Sequence, residues 1–187
     1  MTKVIYMTRH GQSQNNLLDV LGGDCDITEK GRAYSKYLYQ YFKSKNLDKN
    51  IRIFTSNLKR THQTAYFFDN NIKKTLPYLN EINAGIFENK SYQYVKENHP
   101  HEYNLRKKDK FNYRYPKGES YQDLQNRVLK VFNELNYNQN SLIICHNAVL
   151  RVLYAKLLNL PKEEIPYIKI PLHTLFKFEL LNNEYKV

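Results

Sequence analysis

Short unbroken apolar runs alternate along this chain with stretches whose apolar residues recur every three or four positions. Val4-Ile5-Tyr6-Met7-Thr8 is the first run, and it stops abruptly at Arg9-His10-Gly11. A run of this length, rich in β-branched and aromatic residues and closed by glycine, predicts a buried strand. Ser141-Leu142-Ile143-Ile144-Cys145 predicts another, ending on His146-Asn147. Ile51–Thr55 alternates weakly and reads as a strand, as does the stretch from His173 to Leu180. Helical spacing fills the intervals. Thr28 is a fitting N-cap for a helix with Tyr34, Leu38, Tyr41 and Phe42 on one face. Ser56 or Asn57 would cap a helix carrying Lys59, Arg60, Thr61 and Ala65, which puts Arg60 in a first turn. Leu79 to Gly85 reads as an extended piece entering a turn, and Ser91 to Asn98 as a helix. The polar tract from Lys107 to Glu119 carries Pro116 and Gly118 and reads as a loop. Ser120 or Glu119 opens a helix with Leu124, Val128, Val131, Phe132 and Leu135 on one face, and Val149 to Leu158 is helical. Strands alternating with helices predict an α/β fold: a mostly parallel central sheet with helices on both faces. At 187 residues the expected organisation is a single domain, 1–187.

Composition narrows the class. A mean hydropathy of -0.73 is low. The 17 Tyr and 9 Phe nevertheless supply large apolar area for a core. No apolar run approaches the roughly 18 residues that would predict a membrane span. The N-terminus enters a strand without a signal-peptide layout, so a cytoplasmic setting is expected. Cys25 and Cys145 are too few for a disulfide framework or a zinc site, and Cys145 sits inside an apolar run. The formal net charge of +11 fits nucleic acid, an anionic membrane surface or a small polyanionic substrate. Its basic residues are scattered, with Arg106-Lys107-Lys108 the longest run, which describes a solvated surface better than a nucleic-acid footprint. Neither a nucleic-acid partner nor a membrane is expected, and the composition is silent on oligomeric state.

The chemistry lies where the strands end. In open α/β sheets ligands sit beyond the carboxyl ends of the strands. Three such ends here carry Arg9-His10, Arg60 and His146. Taken singly, each has a plain structural role: a hydrogen-bonded turn histidine, or an exposed helical arginine. Together they form a poor metal site, because guanidinium charges repel the ion, and a good pocket for a dianion. No metal or other cofactor is expected. Dense positive charge disfavours protonation of His10 and leaves an imidazole nitrogen free to attack phosphorus. A sugar-type leaving oxygen would still need a proton, which Glu81 or Glu88 could supply.

Arg9-His10-Gly11-x-Ser13, Ser56-x-Leu58-x-Arg60, Leu79-Asn80-Glu81 and Cys145-His146 together resemble the histidine phosphatase (phosphoglycerate mutase-like) superfamily. Asn80 to Gly85, Tyr113 to Ser120 and Pro171-Leu172-His173-Thr174 further resemble the fructose-2,6-bisphosphatase domain of the bifunctional kinase/phosphatase. The likeness covers nearly the whole chain; the kinase half has no counterpart in it. This resemblance implies hydrolysis of a phosphate monoester through a phosphohistidine, with a phosphorylated sugar, fructose 2,6-bisphosphate, as substrate. It implies that His10 is the nucleophile, that Arg9, Arg60 and His146 clamp the transferred phosphoryl group, and that Glu81 donates the proton. Glu88 is then structural or solvent-exposed. Asn16 and the backbone at Gly22 match groups near that phosphate, and Tyr92, Arg106, Lys110, Tyr121 and Arg151 match residues holding the rest of a sugar bisphosphate. Asn147 stands where the family commonly has glutamine, one methylene shorter at a substrate-contact position. Gln12 replaces a frequent acid, a neutral change. His62, His99, His101 and His173 have no partner pattern and read as surface or packing residues. Rivals are a phosphoglycerate mutase or broad-specificity phosphatase on the same core, and a non-catalytic basic module binding RNA or an acidic partner.

Overall fold

A computed structural model describes residues 4–135, 139–181 and 184–187. Its elements follow in chain order as β1 (Val4–Arg9), α1 (Gln14–Leu17), α2 (Glu29–Ser44), β2 (Ile51–Thr55), α3 (Lys59–Thr64) and β3 (Lys73–Thr75). Next come α4 (Tyr92–Asn98), α5 (Pro100–Lys108), α6 (Tyr121–Val128), β4 (Asn140–Cys145), α7 (Asn147–Leu157), β5 (Leu175–Leu181) and β6 (Glu184–Lys186). The strands form one sheet in the order β3-β2-β4-β1-β5-β6. Pairs β1·β4, β2·β4 and β2·β3 are parallel, while β5 joins β1, and β6 joins β5, antiparallel. The architecture is α/β with helices on both faces, as expected.

The sheet is buried on both sides because its two central strands carry unbroken apolar runs, Val4–Met7 and Leu142–Cys145. Ile5 and Met7 face one cluster with Ile143, Cys145, α6 and α7. Val4 and Tyr6, one residue out of phase, face the other with Leu142, Ile144, Leu38 and Phe42. A fully enclosed side chain such as Phe42 or Ile53 contributes about 1.5–3 kcal/mol by leaving water. Helix α2 begins as its sequence suggests, with the Thr28 hydroxyl accepting from the Gly31 N–H. Its buried stripe is narrower than expected: Leu38 and Phe42 are enclosed, whereas Tyr41 is exposed and meets Phe42 only edge-on. Ser120, rather than Glu119, caps α6 in a reciprocal capping box with Asp123. The apolar face beyond it runs on as a 3₁₀ turn over Leu129–Glu134, so Val131 is buried without extending the α-helix.

Three features depart from the sequence expectation. Neither Ser56 nor Asn57 caps α3; Leu58 occupies the cap with no side-chain bond, because the Ser56 hydroxyl is engaged elsewhere. The polar tract after Pro100 folds as α5, which takes in Lys107 and Lys108. Leu79 ends a 3₁₀ turn over Pro77–Leu79 instead of starting an extended piece. No helix among the described residues is long and apolar enough to cross a membrane.

Candidate active site

Strand register assembles the site. Arg9 pairs with Cys145, so His10 and His146 leave neighbouring parallel strands at the same height. The His10 N–H donates to the Cys145 carbonyl at 2.9 Å, and the two imidazoles lie with centroids 5.3 Å apart. Thr55 pairs with Ile144, which brings Ser56 to the same rim, its Oγ 2.8 Å from His146 Nε2. Helix α3 then sets Arg60, buried, over this rim.

His10 Nδ1 lies 2.8 Å from the Gly11 carbonyl oxygen. A carbonyl only accepts, so Nδ1 carries the hydrogen and Nε2 of the neutral ring holds a free lone pair. Burial first, then the Arg60 and Arg9 cations, hold the His10 pKa down to about 3, so the ring is neutral near pH 7. His146 is likewise kept neutral, by complete burial and then by Arg60. Ser56 Oγ accepts from the Leu58 N–H and lies within hydrogen-bond distance of His146 Nε2. His146 Nδ1 is a buried atom with no partner among the described residues. Arg9 is held by one bond to the Ile170 carbonyl, with its Nε buried and unpartnered. Arg60 donates to the Gly23 carbonyl at 2.7 Å. The result is a small enclosure of donors and cations around one nucleophilic nitrogen.

Glu81 reaches this rim from the coil after the Pro77–Leu79 turn. Its carboxylate accepts from its neighbour Ile82 and, at 3.2 Å, from the Ala148 N–H in the first turn of α7. It also lies close enough to Arg9 and Arg60 to sustain their charge. Glu88 is occupied otherwise: its oxygens accept from the Gly23 and Ala84 N–H groups, each at 2.7 Å. That clamp also explains Gly22, whose φ is +61° and where a Cβ would lie 1.8 Å from the Glu88 carboxylate. Asn16 caps its own short helix, its Oδ1 accepting from the Ser13 N–H and hydroxyl. A cleft of ≈ 540 Å³ opens beside Arg60 and Glu81.

A second group of cations lies alongside. Arg106 stacks on the Tyr92 ring at 4.7 Å and donates to the Tyr92 and Tyr115 hydroxyls. Arg151 donates to Tyr121 Oη and the Ile168 carbonyl, and Lys110 to the Pro166 carbonyl. Burial, then the nearby Arg106 and Arg151 charges, push the Lys110 pKa down to about 8. Among the described residues none of these three cations is in an ion pair. The Arg151 charge also reaches Arg9, which ties this group to the first. Asn147 opens α7 between His146 and Ala148. His173, read as packing, stacks on Tyr34 and accepts from the Gln12 N–H.

Sequence reasoning missed two residues that hold this site. Tyr115, buried in a tract taken as loop, fixes Arg106. Arg127 on α6 bonds the segment carrying Glu81. Only its position on the half-apolar face of α6 could have singled it out.

Comparison with known proteins identifies the family and the fold. The sequence model of the Histidine phosphatase superfamily (branch 1) matches residues 5–187. The chain is 44% identical over 178 residues to 6-phosphofructo-2-kinase/fructose-2,6-bisphosphatase 4 of Rattus norvegicus, covering 92% of this chain and 36% of the relative. To 6-phosphofructo-2-kinase/fructose-2,6-bisphosphatase of Gallus gallus it is 42% identical over 180 residues, covering 94% and 37%. It thus spans about a third of the length of these curated relatives. Among solved structures, Bacillus stearothermophilus YhfR superposes with a TM-score of 0.85 at 24% identity, covering 99% of this chain and 95% of that one. The alpha-ribazole phosphatase from Shigella flexneri gives 0.84 at 21% identity, covering 98% and 94%.

Proposed function

Because the chain belongs to the histidine phosphatase superfamily, we propose that it hydrolyses a phosphate monoester through a phosphohistidine, with fructose 2,6-bisphosphate as substrate and fructose 6-phosphate and phosphate as products. His10 Nε2 attacks phosphorus while the bond from phosphorus to the C2 oxygen breaks. That oxygen takes a proton from Glu81. Water then attacks the phosphohistidine, gives a proton back to Glu81, and orthophosphate leaves. Arg9, Arg60 and His146 stabilise the charge on the equatorial oxygens, the main demand of phosphoryl transfer. Residues 1–187 act as one phosphatase domain in this reading. A cytoplasmic setting is part of it, in keeping with the unpaired thiols of Cys25 and Cys145.

The observation that carries the substrate is the second cationic group. Arg106, Lys110 and Arg151 crowd together and, among the described residues, none is in an ion pair, beside a pocket already suited to one phosphate. Like charges held together half-buried are costly unless an anion joins them, and a bisphosphate supplies one to each group. Phosphate release from fructose 2,6-bisphosphate, phosphoglycerates, simple monophosphate esters and nucleotides tests the reading. The highest kcat/KM should belong to the sugar bisphosphate. Mutase activity on phosphoglycerate, or equal turnover across the set, would replace it with the broader enzyme.

A further inference from the structure

We infer that Arg127 is a positioning residue for the proton donor: it holds Glu81 at the height from which the carboxyl group reaches the leaving oxygen. The inference rests on the reading of Glu81 as general acid.

Glu81 stands on a coil between two 3₁₀ turns, Pro77–Leu79 and Gly85–Phe87, where no helix or sheet ladder fixes the backbone. The carbonyls of Tyr78, Asn80 and Glu81 find their donors in one guanidinium. Arg127 Nη1 donates to Tyr78 and Asn80 at 2.7 and 2.8 Å, and Nη2 donates to Glu81 at 3.0 Å. The remaining two N–H groups grip Glu119, Nε at 2.6 Å and Nη2 at 2.8 Å. All five guanidinium donors are therefore spent, and none is left for substrate. Glu119 in turn pins the far side of the same segment. Its carboxylate accepts from the Asn83 N–H at 2.9 Å, and its own N–H donates to the Asn83 carbonyl at 2.9 Å.

This staple ties the backbone of the Glu81 segment to α6 at the wall of the cleft that Arg60 and Glu81 line, while the Ala148 N–H holds the carboxylate. Loosening this support lets the backbone of Glu81 drift, whereas Arg9, Arg60 and His146 keep their own bonds to Ile170, Gly23 and Ser56. A displacement near 1 Å at a reacting group can cost on the order of a hundredfold in rate. Lysine keeps the charge but offers a point donor in place of a planar fork, so it cannot span three carbonyls and a carboxylate.

The test is a double-mutant cycle read on two leaving groups. One is the alkyl phosphate that the wild type turns over fastest from the sugar and phosphoglycerate set. The other is p-nitrophenyl phosphate, whose leaving phenolate needs little protonation. Arg127→Lys should slow formation of the phosphoenzyme from the alkyl ester by about 10- to 100-fold, with KM little changed and the nitrophenolate burst far less affected. In a Glu81→Gln background the same substitution should add almost nothing, because the group it positions no longer carries a proton. Glu119→Gln, which weakens the grip on Arg127 while leaving the three carbonyl bonds, should show the same pattern in milder form. It serves alone if Arg127→Lys fails to give a native thermal transition. If Glu81→Gln itself leaves the alkyl ester rate intact, the acid assignment fails and the positioning role falls with it. If Glu81→Gln is slow yet the Arg127 and Glu119 variants run at wild-type rate, the acid stands and the positioning role is overturned. Losses that are equal on both leaving groups, or that multiply with Glu81→Gln, also overturn it by making Arg127 a general structural support.

Discussion

The Nδ1–H of His10 is bonded to the carbonyl of the next residue, Gly11, at 2.8 Å. This contact chooses the nucleophilic atom. With Nδ1 committed as a donor, the lone pair of the neutral ring is on Nε2. Burial, then the Arg60 and Arg9 charges, keeps the ring from taking a second proton before it reacts. Close packing holds Gly11 in place: a Cβ there would lie 2.6 Å from the Gly31 carbonyl oxygen. The Gly11 N–H also donates to Thr64 Oγ1. The peptide that orients the imidazole thus cannot rotate freely.

A covalent phosphohistidine follows from that free Nε2. Rapid mixing of the wild type with ³²P-labelled substrate and quenching in base should trap a labelled protein that loses its label in acid. His10→Gln, which keeps an amide but no attacking imidazole, should trap none. Label retained at wild-type level in His10→Gln would assign the nucleophile elsewhere.

Two buried neutral histidines also set a limit on acid tolerance. His10 has a pKa of about 3 in the fold against 6.5 in the unfolded chain, and His146 is shifted the same way. Below pH 6.5 the unfolded chain binds protons that the native state refuses, so stability is full above that value and is lost as pH falls toward 3. Between pH 7.5 and 5.5 His10 should remove about 1.4 kcal/mol, and His146 acts in the same direction. Urea unfolding at these two pH values should show the drop, and His10→Gln should shrink it. An unchanged drop in that variant would mean that His10 titrates normally in the fold.

The parts of the molecule that the sequence made legible are those in which one physical effect dominates. Val4–Met7 and Leu142–Cys145 are apolar at every position, so a strand buried on both faces is the natural reading, and the histidines that follow mark the rim. Thr28 announced α2 through its hydroxyl. Strand β3 did not show because Lys73–Thr75 is a polar edge strand held by pairing with β2, with no buried face of its own. Helix α5 did not show because it has no buried residue, and only Pro100 at its first turn hints at a helix. The cap of α3 was misread for a functional reason. Ser56 has the chemistry of an N-cap, but His146 takes its hydroxyl. Arg127 and Tyr115 escaped because their partners are carbonyls and a guanidinium brought together only by tertiary folding.

Lys110 provides a pH signature specific to the second phosphate. In the free protein its pKa lies near 8, lowered by burial and then by Arg106 and Arg151. The ammonium is therefore charged at pH 7 and largely neutral at pH 9. A bound phosphate favours the charged form, so substrate binding should draw in a proton above pH 8, and affinity should fall as that proton becomes scarce. If only the ammonium binds phosphate well, KM for fructose 2,6-bisphosphate should rise by up to about tenfold between pH 7 and 9. A monophosphate ester, which leaves the second group empty, should show no such rise. Lys110→Met removes the titrating charge and should give a KM that is high at pH 7 and flat to pH 9. Steady-state kinetics over this range with both esters decides the matter. A rise that persists undiminished in Lys110→Met would place the titration elsewhere and separate Lys110 from recognition of the second phosphate.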